Sequence, residues 1–174
     1  MKSNSLFSIL TGGLLLPAAS FQPSFAQTWT PVGNPGFSAS GGGVCNWQHL
    51  LVAPDNTLYL SFNDEGFGAG QGTVMKFNGT TWDTVGSPGF TPGIAHHSSF
   101  NFGHGDTLYY SFADGTASGF SRAAVMMFDG TSWTSIGNNL TTGECQYSNI
   151  AMDSSGNLFF GAIDNGIANG AMIV

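Results

Sequence analysis

Charge is what this chain has least of. Of its 174 residues only 7% are Asp, Glu, Lys or Arg, and ten carboxylates face three cations. Nucleic acids and anionic membranes are held by clusters of Lys and Arg that neutralise phosphate, so a chain with a net charge of −7 is expected to bind neither. Cysteine is equally scarce: Cys45 and Cys145 are too few for a disulfide scaffold. Long apolar runs are missing as well. The stretch from Leu6 to Leu16 is interrupted by Thr11, Gly12 and Gly13 and is too short to span a bilayer comfortably, which predicts no membrane insertion.

That short run fits a secretion signal instead. Lys2 supplies a positive start, Leu6 to Leu16 an apolar centre, and Ser24-Phe25-Ala26 a small-residue cleavage site before Gln27. Residues 1–26 are therefore set aside as a signal peptide, and the mature chain is expected to be secreted or at the cell surface, periplasmic or extracellular. Its only cations are Lys76 and Arg122. Residues 27–174 are enough for one domain with a real core.

Glycine (26 residues) and aromatics (13%) are present in quantity. With so few charged residues, this composition predicts many strands and turns in place of surface helices, and the aromatic content argues against disorder.

The chain also repeats itself with a period near 50. Leu58, Leu108 and Leu158 open aromatic, β-prone runs, and Trp29, Trp82 and Trp133 are each followed three or four residues later by Gly33, Gly86 or Gly137. A fixed period of this length is a mark of repeat architectures. Within one repeat, His49 to Ala53 and Leu58 to Phe62 read as a pair of strands joined by the turn at Pro54-Asp55-Asn56. After a Gly-rich loop, Val74 to Phe77 forms a third strand, and Asn78-Gly79 turns it into a fourth at Trp82–Val85; Asp129-Gly130 repeats that hairpin before Trp133.

Four antiparallel strands per repeat predict an all-β, β-propeller-like chain of about three blades, near 34–86, 87–137 and 138–174. The last blade is incomplete, and a strand at Trp29–Val32 is expected to complete it. Three blades fall short of a closed ring, so the chain is expected to be either part of a longer propeller or half of a six-bladed homodimer.

The hairpins Phe77-Asn-Gly-Thr-Thr-Trp82 and Phe128-Asp-Gly-Thr-Ser-Trp133, with Asp153-Ser-Ser-Gly-Asn-Leu-Phe159, resemble blades of secreted bacterial propellers of the kelch, Asp-box and NHL type over nearly the whole mature chain. The resemblance implies a bacterial, often multi-domain surface protein. Phe77 and Phe128 stand where an Asp-box has aspartate, and Ser61-Phe62 and Ser111-Phe112 where kelch blades pair glycines, so the subfamily stays open.

Asp64, Asp114 and Asp164 are spaced by 50, each at the end of a second strand and each with Gly one or two residues on. On one face of a propeller they would form an arc whose oxygens, with Glu65, suit Ca²⁺ or sugar hydroxyls; the alternative is an Asx-turn at each. His96 and His97 are expected in a loop on that face, without the third ligand a transition metal needs. Phe67, Phe90 and Phe120 lie in neighbouring loops, but the recurring Gly-Phe pairs (Gly36-Phe37, Gly89-Phe90) and the three tryptophans are expected to pack between blades. Cys45 and Cys145 occupy equivalent positions and are disulfide candidates only between two copies. Asn78 and Asn139 fit the glycosylation pattern but are expected as turn residues.

A sialidase-type site is excluded by the single arginine, Arg122, because such a site clamps its substrate with several. A two-carboxylate glycoside hydrolase remains the alternative. Carboxylates at repeat-equivalent positions share one environment, whereas an acid and a base need different ones. The expected function is therefore extracellular binding or scaffolding, of carbohydrate or protein, without catalysis.

Overall fold

The computed structural model describes residues 28–34, 44–105, 107–116, 121–166 and 170–173. The chain divides into two units, 1–30 and 31–174, and the signal segment 1–26, the Gly36-Phe37 pair and Phe120 lie outside the described residues. In the first unit only 28–30 are described, without regular structure and with Trp29 exposed, not buried as the repeat predicts.

The second unit is all-β, with no helix among its described residues. Eleven strands follow one another: β1 (Cys45–Val52), β2 (Leu58–Asp64), β3 (Gln71–Phe77), β4 (Trp82–Thr84), β5 (Ala95–Phe102), β6 (Leu108–Asp114), β7 (Arg122–Phe128), β8 (Trp133–Gly137), β9 (Cys145–Met152), β10 (Leu158–Asp164) and β11 (Gly170–Ile173). They form three antiparallel sheets in sequence order, β1-β2-β3-β4, β5-β6-β7-β8 and β9-β10-β11. The hairpins are made as the sequence predicts. Asn78 Oδ1 accepts from the amides of Thr80 (3.0 Å) and Thr81 (2.9 Å), Asp129 Oδ1 from those of Thr131 and Ser132 (both 2.9 Å), and Gly79 and Gly130 take the left-handed φ of 99° and 96° that these turns require. Asn78 is thus a turn residue.

The expected strand at Trp29–Val32 is not formed. Residues 28–34 are irregular, and the carbonyl of Val32 accepts from Trp82 Nε1 at 3.0 Å, beside the first sheet. The carbonyl of Val85 accepts from Trp133 Nε1 in the same way, at 2.8 Å. A Cβ on Gly86 (φ 70°) would stand 2.9 Å from both Phe128 and Trp133, so this tryptophan contact requires glycine.

Neighbouring sheets meet through the same joint twice. Between the first and second, the amide of Gly72 donates to Thr91 Oγ1 (2.8 Å), which donates on to the carbonyl of Gly93 (2.7 Å), while Gln71 Nε2 donates to the Thr91 carbonyl (2.6 Å). Between the second and third, Ala123 N, Thr141 Oγ1 and Gly143 O form the same chain (3.1 and 2.9 Å), with Arg122 Nη1 on the Thr141 carbonyl at 3.0 Å. Both threonines are buried. Apolar side chains fill the space on either side of these joints. Val74 and Val85 pack with Phe100, Leu108, Tyr110, Phe112 and Phe128 at the first, where Phe90 stacks on Trp133 with centroids 4.0 Å apart. Ala113, Ala123 and Val125 pack with Ile150, Phe160 and Ala162 at the second.

The joint decides which equivalent residues are buried. Phe100 is 1% and Ile150 3% exposed, each against the preceding sheet, whereas their counterpart Leu50 is 59% exposed.

Because Thr141 Oγ1 both accepts and donates inside the protein, Thr141→Val leaves two buried polar groups unpaired with little change of shape. The expected loss is about 1–3 kcal/mol, checked by urea denaturation, with Thr91→Val behaving alike.

Candidate functional site

The three repeat-equivalent aspartates end β2, β6 and β10, as the pattern predicts, but their oxygens serve the backbone. Asp64 Oδ1 accepts from Gly66 N (3.0 Å) and Asp114 Oδ1 from Thr116 N (3.0 Å). Asp164 is the most heavily used: Oδ1 takes the amides of Gly143 (2.8 Å) and Gly166 (2.9 Å), Oδ2 the amide (2.7 Å) and hydroxyl (3.1 Å) of Thr142. Burial pushes its pKa up, but the four donors outweigh burial and hold the carboxyl below its ordinary range. The residue after each aspartate completes the turn. Glu65 N, Gly115 N and Asn165 N each donate at 3.0 Å to Val44 O, Ile94 O and Glu144 O, fastening the loop to the lead-in of the first strand of its own sheet. The carboxylate of Glu65 accepts from Asn46 Nδ2 at 2.8 Å. Among the described residues no three His, Cys, Asp or Glu side chains are placed to hold a metal ion.

Cys45 and Cys145 open β1 and β9, and both are thiols. Burial, then the Asp164 carboxylate, pushes Cys145 up to about 12; burial, Asp64 and Glu65 raise Cys45. Thiols held protonated in this way are poor nucleophiles. Arg122 lies between two clefts, one of about 360 Å³ that it shares with Asp114 and Asn138, the other of about 290 Å³ bounded by Glu144 and Asn165.

His96 and His97 are not in a loop. Both lie within β5, because that strand begins at Ala95 and contains an irregularity between His96 and Ser99. Matching register shifts occur in β1 between Asn46 and His49 and opposite β9 between Gln146 and Asn149. At the centre of each bulge one residue takes a left-handed backbone: Trp47 (φ 55°), His97 (φ 48°) and Tyr147 (φ 51°). A bulge re-aims its side chain out of the strand's alternation, and here three successive bulges turn three rings into one row. The centroids of Trp47 and His97 are 4.2 Å apart and those of His97 and Tyr147 4.9 Å, with interplanar angles of 49° and 52°.

The row is stitched from sheet to sheet. Ser148 Oγ donates to the carbonyl of His97 (2.5 Å) and Ser98 Oγ to that of Trp47 (3.5 Å). One residue further along, Ser99 Oγ donates to Asn149 Oδ1 (3.4 Å), and the amide of Phe100 donates to His49 Nδ1 (3.3 Å). These residues of β1, β5 and β9 enclose a groove of about 300 Å³, lined by Trp47, His97 and Tyr147 with the polar side chains of Gln48, His49 and Asn149 among them. Among the described residues no Asp, Glu, Lys or Arg lines it. Tyr147 is 65% and Trp47 42% exposed, with His97 half-buried between them. Burial lowers the pKa of His49; burial and then His96 lower that of His97 against an opposing pull from Glu144.

Sequence reasoning brought forward the recurring aspartates, which make turns, and passed over the column 47, 97 and 147. The column has the same spacing, but its three residue types differ, and only a position-by-position stacking of the repeats would have displayed them as a set of rings.

No protein-family model matches the chain, and no curated protein is similar to it.

The lowered histidines set a pH dependence. Below the ordinary value of 6.5 the unfolded chain takes up protons that folded His49 and His97 resist, so stability is full above that pH and falls as the pH drops through their lowered values. Urea midpoints measured from pH 7.5 to 4.5 are expected to fall, and His49→Asn is expected to flatten part of that fall.

Proposed function

We propose that this chain is a propeller-type recognition module, exported from its cell, which binds a ligand across its inner strands and performs no chemistry on it. The row Trp47–His97–Tyr147 carries this reading: it is an exposed aromatic surface in a concave site with polar groups beside it, the usual make-up of a ligand site. The propeller arrangement is supported by the successive meander sheets and their repeated threonine joint. Leu50 belongs to the face that the second and third sheets bury, and another sheet of this kind would cover it. That sheet comes from a second copy, giving six blades, or from further sequence.

The glycoside hydrolase alternative needs two carboxylates on either side of one bond. Asp64 and Asp164 are closed off from solvent, and among the described residues Asp114 shares its cleft with Arg122 and no second acid, and the groove has none.

Screening the mature protein against glycan and peptide arrays, with a parallel assay for reducing-sugar release, is expected to give binding that Trp47→Ala weakens and no turnover. Turnover that survives Trp47→Ala would replace this reading with the hydrolase, and light scattering of the same sample reports whether two copies associate.

A further inference from the structure

We propose that the occupant of the inner-strand groove is a neutral saccharide whose sugar rings lie on the Trp47–His97–Tyr147 row; the assignment rests on the recognition reading above. Three observations converge on that chemistry.

The first is the cost of the rings. A left-handed φ is unfavourable for any residue with a Cβ and particularly for bulky ones, whereas Gly or Asn adopts it cheaply. The bulge recurs in all three inner strands, so the fold sets the backbone. It does not set the side chain. Tyr147, at 65% exposed, recovers little burial for its strain, so a planar ring there is left unexplained by folding. Strain held at an exposed site in this way points to binding.

The second is the lining. A charged ligand entering the groove would give up hydration and meet no opposite charge from the described residues, because no Asp, Glu, Lys or Arg among them lines it and both imidazoles are disposed to stay neutral. Gln48, His49 and Asn149 each use one side-chain polar atom inside the protein, on the carbonyl of Cys45, the amide of Phe100 and the hydroxyl of Ser99, and a wholly apolar ligand would leave the other polar atom of each without a partner. A pyranose satisfies both demands. Its C–H faces carry weak positive charge toward the negative faces of aromatic rings, and its hydroxyls exchange hydrogen bonds with amides and imidazole around its edge.

The third is the state of the strand edges. β1, β5 and β9 each end their sheets, and a peptide would normally bind such an edge as an added strand. The bulges interrupt the ladder there, and Ser98 and Ser148 already occupy the carbonyls of Trp47 and His97. Strand addition is blocked at the residues where the rings gather. The site therefore favours a ligand held by its faces and rim over one held by its backbone.

The test uses the full mature chain, titrated calorimetrically with linear hexasaccharides of β-1,4-glucan, β-1,3-glucan, α-1,4-glucan and β-1,4-mannan, with polygalacturonate as a charged polymer and a random peptide pool. Trp47→Ala, Tyr147→Gly, the double variant and Ile136→Ala, an exposed apolar site outside the groove, are compared by binding and by thermal midpoint. At least one neutral hexasaccharide is expected to bind, about tenfold more weakly to each single groove variant and with no change for Ile136→Ala. Tyr147→Gly is expected to keep or raise the thermal midpoint, because it relieves the strained φ; a merely structural tyrosine would lower it. Saccharide affinity unchanged in the double variant overturns the proposal. If only peptide or polygalacturonate binds, and the double variant abolishes that binding, the saccharide assignment fails while the recognition reading stands. If no probe binds, both fail.

Discussion

The joint between sheets is the constraint on which the remaining structure depends. At each joint one buried threonine hydroxyl accepts an amide from the third strand of one sheet and donates to a carbonyl just ahead of the first strand of the next. A hydroxyl serves this purpose because it is donor and acceptor at once, so a single side chain reinforces the backbone contacts between the sheets, such as the bridge of Gln71 with Ile94 and the bond from Cys145 N to Ser121 O. Everything beyond the joint follows from the angle it sets. Phe100 and Ile150 are buried because the joint holds their sheets against the one before, and the inner strands come close enough for serine hydroxyls to reach the carbonyls of the neighbouring bulge.

Scarcity of charge shapes the same arrangement. With few charged side chains to draw on, the chain satisfies its polar groups through Asx turns, threonine joints and serine stitches, all uncharged except at the aspartates. Those aspartates are spent on turns: Asp164 holds three amides and a hydroxyl, which leaves it little capacity for a metal or a substrate. The uncharged inner groove is the counterpart of that economy. It combines rings with amides and imidazole, and its two histidines are shielded enough to resist protonation.

Strain and exposure coincide at one place. Trp47, His97 and Tyr147 hold left-handed backbones at equivalent bulges, and the rings they carry are among the more exposed aromatic groups of the described inner strands. A fold that repeats an unfavourable backbone conformation three times has fixed it by tertiary and ladder contacts, since no local preference of Trp or Tyr favours it. Elsewhere the left-handed positions are mostly glycines, as at Gly79, Gly86 and Gly130, where a turn or a tryptophan contact requires them.

Much of the architecture was legible in the amino-acid order. Alternating apolar runs such as Leu58 to Phe62, and turn dipeptides such as Asn78-Gly79 and Asp129-Gly130, act through neighbours a few residues apart, and the strands and hairpins they predict are formed. The Asx turns at Asp64, Asp114 and Asp164 were readable for the same reason. The irregular course of residues 31–34 beside Trp82, the placing of His96 and His97 inside a strand, and the gathering of three rings were not. Each depends on contacts across about fifty residues, between groups whose identities differ from repeat to repeat. Sequence by itself determined the strands, the turns and the period, because those are settled by local backbone chemistry and by which side chains avoid water. Only the tertiary structure decided where the bulges fall and what they bring together, because a bulge is a compromise between the ladder of one sheet and the packing of the next.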